Sequence, residues 1–282
     1  MADVIIASAA TGPTKQEMIT ALAQKELKFS AILSGYAKDV SSFAVKGLKS
    51  ISFPKLTSFT VGERGSGVTL DSQGLNSSVD QLNLNIPAYL KWIIDMNDEV
   101  QSTLNWEMET VSRASSAHGR YFDLKIIAES LATGVEHASA GDISRDFILA
   151  GREYIKKNEG NLSETTIFVA VDQMTALLKI DEFTRAEIYG SAVIPNGQIG
   201  KCYGMNVVEH NGLADGEYYM STKDAVAYGF QKEPNFASQL DVDLGSASYK
   251  NVMDCLYGVK AVQISEGNAP ATKSPHIFRF KA

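Results

Sequence analysis

Proton transfer, nucleophilic attack and metal binding all need reactive side chains at workable spacing, and this chain offers 4 histidines and 2 cysteines. His118, His137, His210 and His276 are scattered, and none has a second His, Cys or carboxylate at the helical or turn spacing that assembles a metal site. Surface or partly buried histidines are the expectation. Cys202 and Cys255 lie far apart without a CxxC pattern, so neither a disulfide framework nor a zinc ribbon is indicated, and a reducing cytoplasm is the simplest home. DVDLG at Asp241–Gly245 opens like a calcium loop. It lacks a third acidic or amide ligand, however, and Val252 stands where a bidentate glutamate would fall. A solvated acidic turn is expected there.

Phosphate and acyl chemistry fare no better. The glycine cluster in TVGERGSGVTL, residues 60–70, runs into the strand-like VTL rather than into a Gly-Lys-Ser/Thr at a helix N-terminus, so it fails as a phosphate loop and reads as a loop tip. No GxSxG elbow occurs, and SFPK at Ser52–Lys55 matches SxxK as text only, because its proline forces an extended chain. Asp95, Asp98, Glu99, Glu107 and Glu109 could pair as acid and base, but on a long helix such charges form the wet face. Tyr218, Tyr219, Tyr228 and Phe230 could stack nucleic-acid bases; few lysines adjoin them, and core packing or subunit contact is expected instead. No catalytic residue, cofactor site or metal site emerges.

The elements that would position any site are legible in outline. A chain of 282 residues suits one compact unit or two intimately joined subdomains. Its net charge of -7 gives no general attraction to nucleic acid, which would need a local basic patch. No stretch approaches the roughly 20 apolar residues of a membrane span, and the start lacks a basic region ahead of its short apolar run, so neither a membrane nor a signal peptide is expected. Residues 1–50 alternate short helical pieces with polar residues, like an arm that lies on something else. Between Ser52 and Pro87 the pattern turns to period two, ending in Leu82, Leu84 and Ile86, with Gly, Ser, Asn and Asp between: a long two-stranded hairpin.

From Asp95 to about Thr133 a helical stripe of Val100, Leu104, Met108, Val111, Ala114, Phe122 and Ile126 predicts one long helix or two in tandem, weakest at Ser115, Ser116 and Gly119. A second helix is expected over DISRDFILAGREYIKKN, then a buried strand TTIFVAV, then a short helix capped by Asp172. Beyond Tyr189 strands and turns dominate, with a helical turn from Ser221 and a final alternating YGVKAVQI. The fold class is α+β.

This order of parts resembles the tailed-phage major capsid protein of the HK97-like fold. The resemblance is carried by IFVAVDQMTALLKIDEF, with Leu177, Leu178, Asp181 and Phe183 where that family has its strand, short helix and following element. It is carried again by IGKCYGMNVVEHNGL, with Ile199, Gly200, Gly204, Val207 and Asn211 in the family's glycine and valine positions. The resemblance implies an N-terminal arm (1–50), an E-loop hairpin (51–88) and a P domain with its spine helix (89–163, completed by 248–282). The A domain is then 164–247, with the spine helix over roughly 96–133.

It also implies a structural protein without catalysis that self-assembles as hexamers and pentamers into an icosahedral shell. The shell would enclose double-stranded DNA, held by weak non-specific contact, in a virion assembled in the host cytoplasm. A portal and a scaffolding protein are implied partners; since no long charged helical segment precedes the arm, the scaffold is expected as a separate protein or as a segment already missing from this chain. Under this resemblance the copy-to-copy contact is expected at Gly62, Glu63, Arg64, Gly65, Gly67, Val68, Leu70, Leu82 and Leu84. Val61–Asn85 contains no lysine, only Arg64, so the lysine–asparagine cross-link of some family members is not expected. Two alternatives stay open: an encapsulin-like compartment shell with protein cargo, and a soluble α/β enzyme whose site is built from scattered residues.

Overall fold

Alternating patterns turn into strands wherever one face finds a core, and the hairpin stretch is the plainest case. The computed structural model describes residues 31–56, 77–95, 106–138, 141–180, 200–223, 225–241, 248–262 and 273–281. After a 3-10 turn at Leu33–Tyr36 comes the short β1 (Lys38–Asp39). The hairpin legs follow as β2 (Ser50–Leu56) and β3 (Ser77–Asn83), antiparallel, with Ile51 opposite Leu82 and Lys55 opposite Ser78. β4 (Ile86–Asp95) alternates in the same way, burying Ala88 and Ile94 and exposing Tyr89 and Ile93. It pairs antiparallel with β11 (Ser248–Ala261), from Asp95 opposite Ser248 to Ile86 opposite Tyr257. β10 (Val226–Asp241) lies on the other side of β11, and its Ala227 and Tyr228 pair in parallel with β1.

α1 (Trp106–Thr133) is 28 residues long, about 42 Å at the usual rise per residue. It runs without a break through Ser115, Ser116 and Gly119, where the apolar stripe is weakest. Its inward face repeats every three to four residues through Val111, Ala114, Ser115, His118, Phe122, Asp123, Ile126, Ile127 and Ser130, all buried. The helix survives its gap because polar residues continue the buried face there. Met108, assigned to the stripe by spacing, is instead 51% exposed.

Two units divide the chain. In one, Asn85–Phe122 and Phe230–Tyr257 come together, around a core of Val111, Ala114, Phe236 and Met253 with Leu90 and Trp92 against it. The other gathers Leu33–Leu84, Asp123–Gly229 and Gly258–Ala282. The long elements α1, β10 and β11 contribute residues to both.

The second unit holds a six-stranded sheet in the order β5-β12-β9-β6-β8-β7. These strands are β5 (Val135–Ala138), β6 (Thr165–Val169), β7 (Lys201–Cys202), β8 (Met205–Glu209), β9 (Tyr218–Thr222) and β12 (Ile277–Lys281). α2 (Arg145–Lys157) packs its Phe147, Ile148 and Ile155 into a core with Ile167, Tyr218, Met220 and Phe278. The Phe147 ring meets Tyr218 edge-on at 4.6 Å, and Tyr218 stacks on Phe280 at 4.5 Å, the two geometries aromatic quadrupoles favour.

α2 starts where Ser144 accepts a hydrogen bond from the Phe147 N–H at 3.3 Å, with Asp146 in its first turn and Lys156 and Lys157 in its last, each complementing the helix dipole. It stops at Glu159, whose φ is 62°, and at Gly160, which donates to the Ile155 carbonyl at 2.9 Å.

Two local expectations change. α3 (Val171–Leu178) is preceded by Ala170, and Asp172 sits in its first turn, accepting from Gly216 N–H at 2.9 Å rather than capping the helix. Ser221 and Thr222 belong to β9 and no helix follows, because burial of all of Tyr218–Thr222 on a central strand outweighs the local helical pattern. The expected strand YGVKAVQI begins within β11, which pairs with β4, while β12 pairs with β9 and β5 and completes the six-stranded sheet.

Gly258 presses its backbone against the Asn83 carbonyl, and an added Cβ would collide with that oxygen. Gly258→Ala should therefore cost about 1–3 kcal/mol by overpacking, read as a lowered urea midpoint; an unchanged midpoint would contradict the fit.

Candidate assembly surfaces and buried polar groups

The hairpin root shows which side chains are surface and which are core. Ile51, Leu82 and Leu84 cluster with Val40, Ala44, Ala227 and Val262. Leu82 is 0% exposed and Leu84 6%, so both belong to the chain's own core and leave the set of expected contact residues. Alternation marks a buried face without saying whose core buries it. Gly62, Glu63, Arg64, Gly65, Gly67, Val68 and Leu70 lie outside the described residues. The root's other face shows solvent Val79, Ser52 and Pro54. Asp80 forms an ion pair with Lys260 that ties β3 to β11.

Sequence reasoning passed over Phe43, Val45 and Leu48, which stand exposed on the loop between β1 and β2. The available signal was charge: from Val40 to Gly62 the chain has three lysines and no Asp or Glu, in a protein whose net charge is -7.

His118 and His210 are buried, His137 and His276 half-buried, and they do different work. His210 Nε2 lies 3.1 Å from Asp123 Oδ2, and both side chains are nearly inaccessible. Gly212 N–H donates to His210 Nδ1 at 2.9 Å, so that nitrogen accepts and the ring proton sits on Nε2, donated to Asp123. Asp123 Oδ1 also accepts from the Leu33 N–H at 3.2 Å. Ser130, also buried on α1, donates its hydroxyl to the Ile126 carbonyl at 2.8 Å. His118, 6% exposed, lies 3.8 Å from Cys255 Sγ, and its Nε2 has no partner among the described residues. Burial lowers its pKa below the ordinary 6.5, more than a Met253 backbone hydrogen bond and the charge of Asp254 raise it. Burial alone lowers that of His276.

The aromatic set is core rather than platform, since Tyr218, Tyr219 and Tyr228 are all buried. The Tyr228 phenol is pushed up to about 12 by desolvation and then by Asp39. Glu109 pairs with Arg113 at 2.9 Å on an exposed helix face, the wet-face role expected of it. Two apolar grooves of about 390 and 410 Å³ run beside β4 and α1. Leu90, Trp92 and Ala114 line one; Ala88, Ala117, His118 and Tyr121 line the other. Among the described residues neither groove sets a histidine beside a carboxylate, and no three His, Cys, Asp or Glu side chains gather as a metal site. No described helix is long and apolar enough to cross a membrane.

Two outcomes follow from the histidines. His118 and His276 bind protons less readily folded than unfolded, so their share of stability is present above pH 6.5 and is lost as pH falls through that value toward their folded pKa. Urea midpoints should therefore drop between pH 7.5 and about 5.5, and His118→Gln should flatten the slope; a midpoint indifferent to both would count against this burial. His210→Ala should cost about 1–3 kcal/mol, because it leaves the Asp123 carboxylate and Gly212 N–H without partners.

A family model for phage capsid proteins matches residues 40–255, well over half of the chain. No curated protein sequence matches it. Among solved structures it is similar to that of Mycobacterium phage Che8, with 19% identity and a TM-score of 0.74, covering 89% of this chain and 91% of that one. The capsid of cyanophage P-SCSP1u matches with 13% identity and a TM-score of 0.69, over 89% and 88%. A virus-like particle from Pyrococcus furiosus matches with 8% identity and a TM-score of 0.58, over 94% and 98%. The match over the sheets, the long helix and the hairpin root places the chain in the phage capsid protein family, as a structural major capsid protein with the HK97-like fold.

Proposed function

We propose that many copies of this chain close, as hexamers and pentamers, into an icosahedral shell around the double-stranded DNA of a tailed bacteriophage, the hairpin of each copy reaching onto the next. One observation carries the reading. Among the described residues β2 and β3 pair only with each other, and an isolated two-stranded ribbon is marginally stable in water. Its root is anchored by Leu82 and Leu84, while twenty residues, 57–76, extend between the two legs. Length and turn-rich composition suit a finger stabilised by strand pairing and apolar burial on a neighbour.

The chain acts by geometry and not by catalysis. Repetition over many copies multiplies weak contacts, while each single contact stays weak enough for a misplaced subunit to leave. Glu63 and Arg64 at the tip set register more than strength, since exposed ion pairs contribute only about 0–1 kcal/mol each. A separate scaffolding protein and a portal complete the assembly, in the host cytoplasm, with DNA held by weak non-specific contact. An encapsulin-like compartment with protein cargo is the second reading, and the phage capsid family model favours the first.

Deleting Gly62–Leu75 should leave a folded subunit, by circular dichroism and urea midpoint, that forms no particles in electron microscopy. Shells from the deletion would contradict the role of the hairpin. Nuclease-resistant DNA inside particles produced with the neighbouring genes supports the virion reading, and protein cargo without DNA supports the compartment.

A further inference from the structure

The loop between β1 and β2 places apolar side chains in solvent on a scaffold that is not loose. Val40 and Ala44 turn inward to the cluster under the hairpin root, at 2% and 9% exposure. Phe43, Val45 and Leu48 turn outward at 64%, 61% and 42%. The path between them is fixed by turn hydrogen bonds, Ala44 N–H to Ser41 O at 3.0 Å and Leu48 N–H to Val45 O at 3.1 Å, and by Gly47, whose φ of 93° lies in the left-handed region that glycine tolerates. At its end the Lys49 carbonyl accepts from Leu84 N–H at 2.9 Å, joining the loop to the hairpin. Three large apolar side chains held outward by their own backbone form a contact feature rather than scattered surface residues.

We infer that this loop is a copy-to-copy contact of the head-to-tail kind, in which the apolar knob of Phe43, Val45 and Leu48 seats on an acid-rimmed surface of a second copy. The inference rests on the shell-building function proposed above. Charge identifies the partner. Lys46 and Lys49 flank the knob, both exposed, and no acid occurs from Val40 to Gly62, whereas the chain as a whole carries -7. The rest of the chain therefore carries a net negative charge, and a second copy supplies both the opposite charge and the repeated presence a shell provides.

The same charges fix the symmetry. Two such loops facing each other would bring like charges together, which an interface penalises. An isologous pair is thus disfavoured, and the loop must meet a different part of its neighbour, the arrangement that closes rings rather than dimers. Phe43 is the anchor, and the lysines steer approach more than they hold the contact.

Wild-type protein tests this by amine acetylation read by mass spectrometry on free subunits, empty shells and DNA-filled shells. Labelling of Lys46 and Lys49 should fall about tenfold or more in both kinds of shell relative to free subunits. Equal labelling in free and assembled protein overturns the inference. Protection confined to DNA-filled shells assigns the loop to nucleic acid and overturns it too. Wild-type protein that builds no shells at all sinks the shell function itself rather than the placement of this contact.

The double variant Phe43→Ser/Val45→Ser should keep the wild-type thermal midpoint, since these side chains lie outside the core, and lose about tenfold or more in shell yield. Shells at wild-type yield would overturn the inference. Lys46→Glu/Lys49→Glu should slow assembly and flatten its dependence on salt; unchanged rate and salt dependence would refute the assignment of the lysines.

Discussion

A carboxylate at 1% exposure must be met by donors or it opposes folding, and for Asp123 the donors come from two remote stretches of chain. Leu33 brings its backbone N–H from just ahead of β1, and His210 brings its ring from just after β8. Gly212 then fixes the imidazole from behind, and it has to be glycine: a Cβ there would come within 2.8 Å of the ring. One charge on α1 thereby gives a common origin to the segment entering the hairpin and to the loop closing the β6–β8 pair. Val40, Ala44 and the root residues Ile51 and Leu82 pack downstream of that origin. The placement of the hairpin root thus draws on a polar contact and not on apolar burial alone.

Much of this architecture can be seen in the residue pattern, and the exceptions have physical reasons. The hairpin legs, α1, α2, β6 and α3 follow from period, caps and turn residues, each of which acts over a few neighbours. Ser115, His118, Asp123 and Ser130 hid the continuity of α1, because a stripe counted in apolar residues cannot register polar ones buried through specific partners. Ser221 was lost to tertiary override: a central position between β6 and β12 outweighs helix preference over so short a stretch. Leu82 and Leu84 show the deepest limit. Their alternation reports that something covers them, and only the fold reveals that Val40, Ala227 and Val262 of the same chain do so.

The subunit divides its apolar residues between two purposes. Phe147, Ile167, Tyr218 and Phe278 are committed to a core dense in ring contacts, which holds one copy together before it meets another. Tyr89 at 77% exposure and Ile93 at 50% lie on the open face of β4, outside that commitment. Separating the dense core from a small number of exposed apolar side chains lets the subunit fold on its own contacts and keeps the exposed ones for association.

The position of β12 adds a matter of timing. Its Phe278 pairs in parallel with Val135 and its Ile277 pairs antiparallel with Ser221, so a strand made late fills the slot between β5 and β9. Until it docks, β5 has no neighbour in that sheet among the described residues and β9 lacks its partner on that side, so this layer closes only after every other described strand of the sheet has been made.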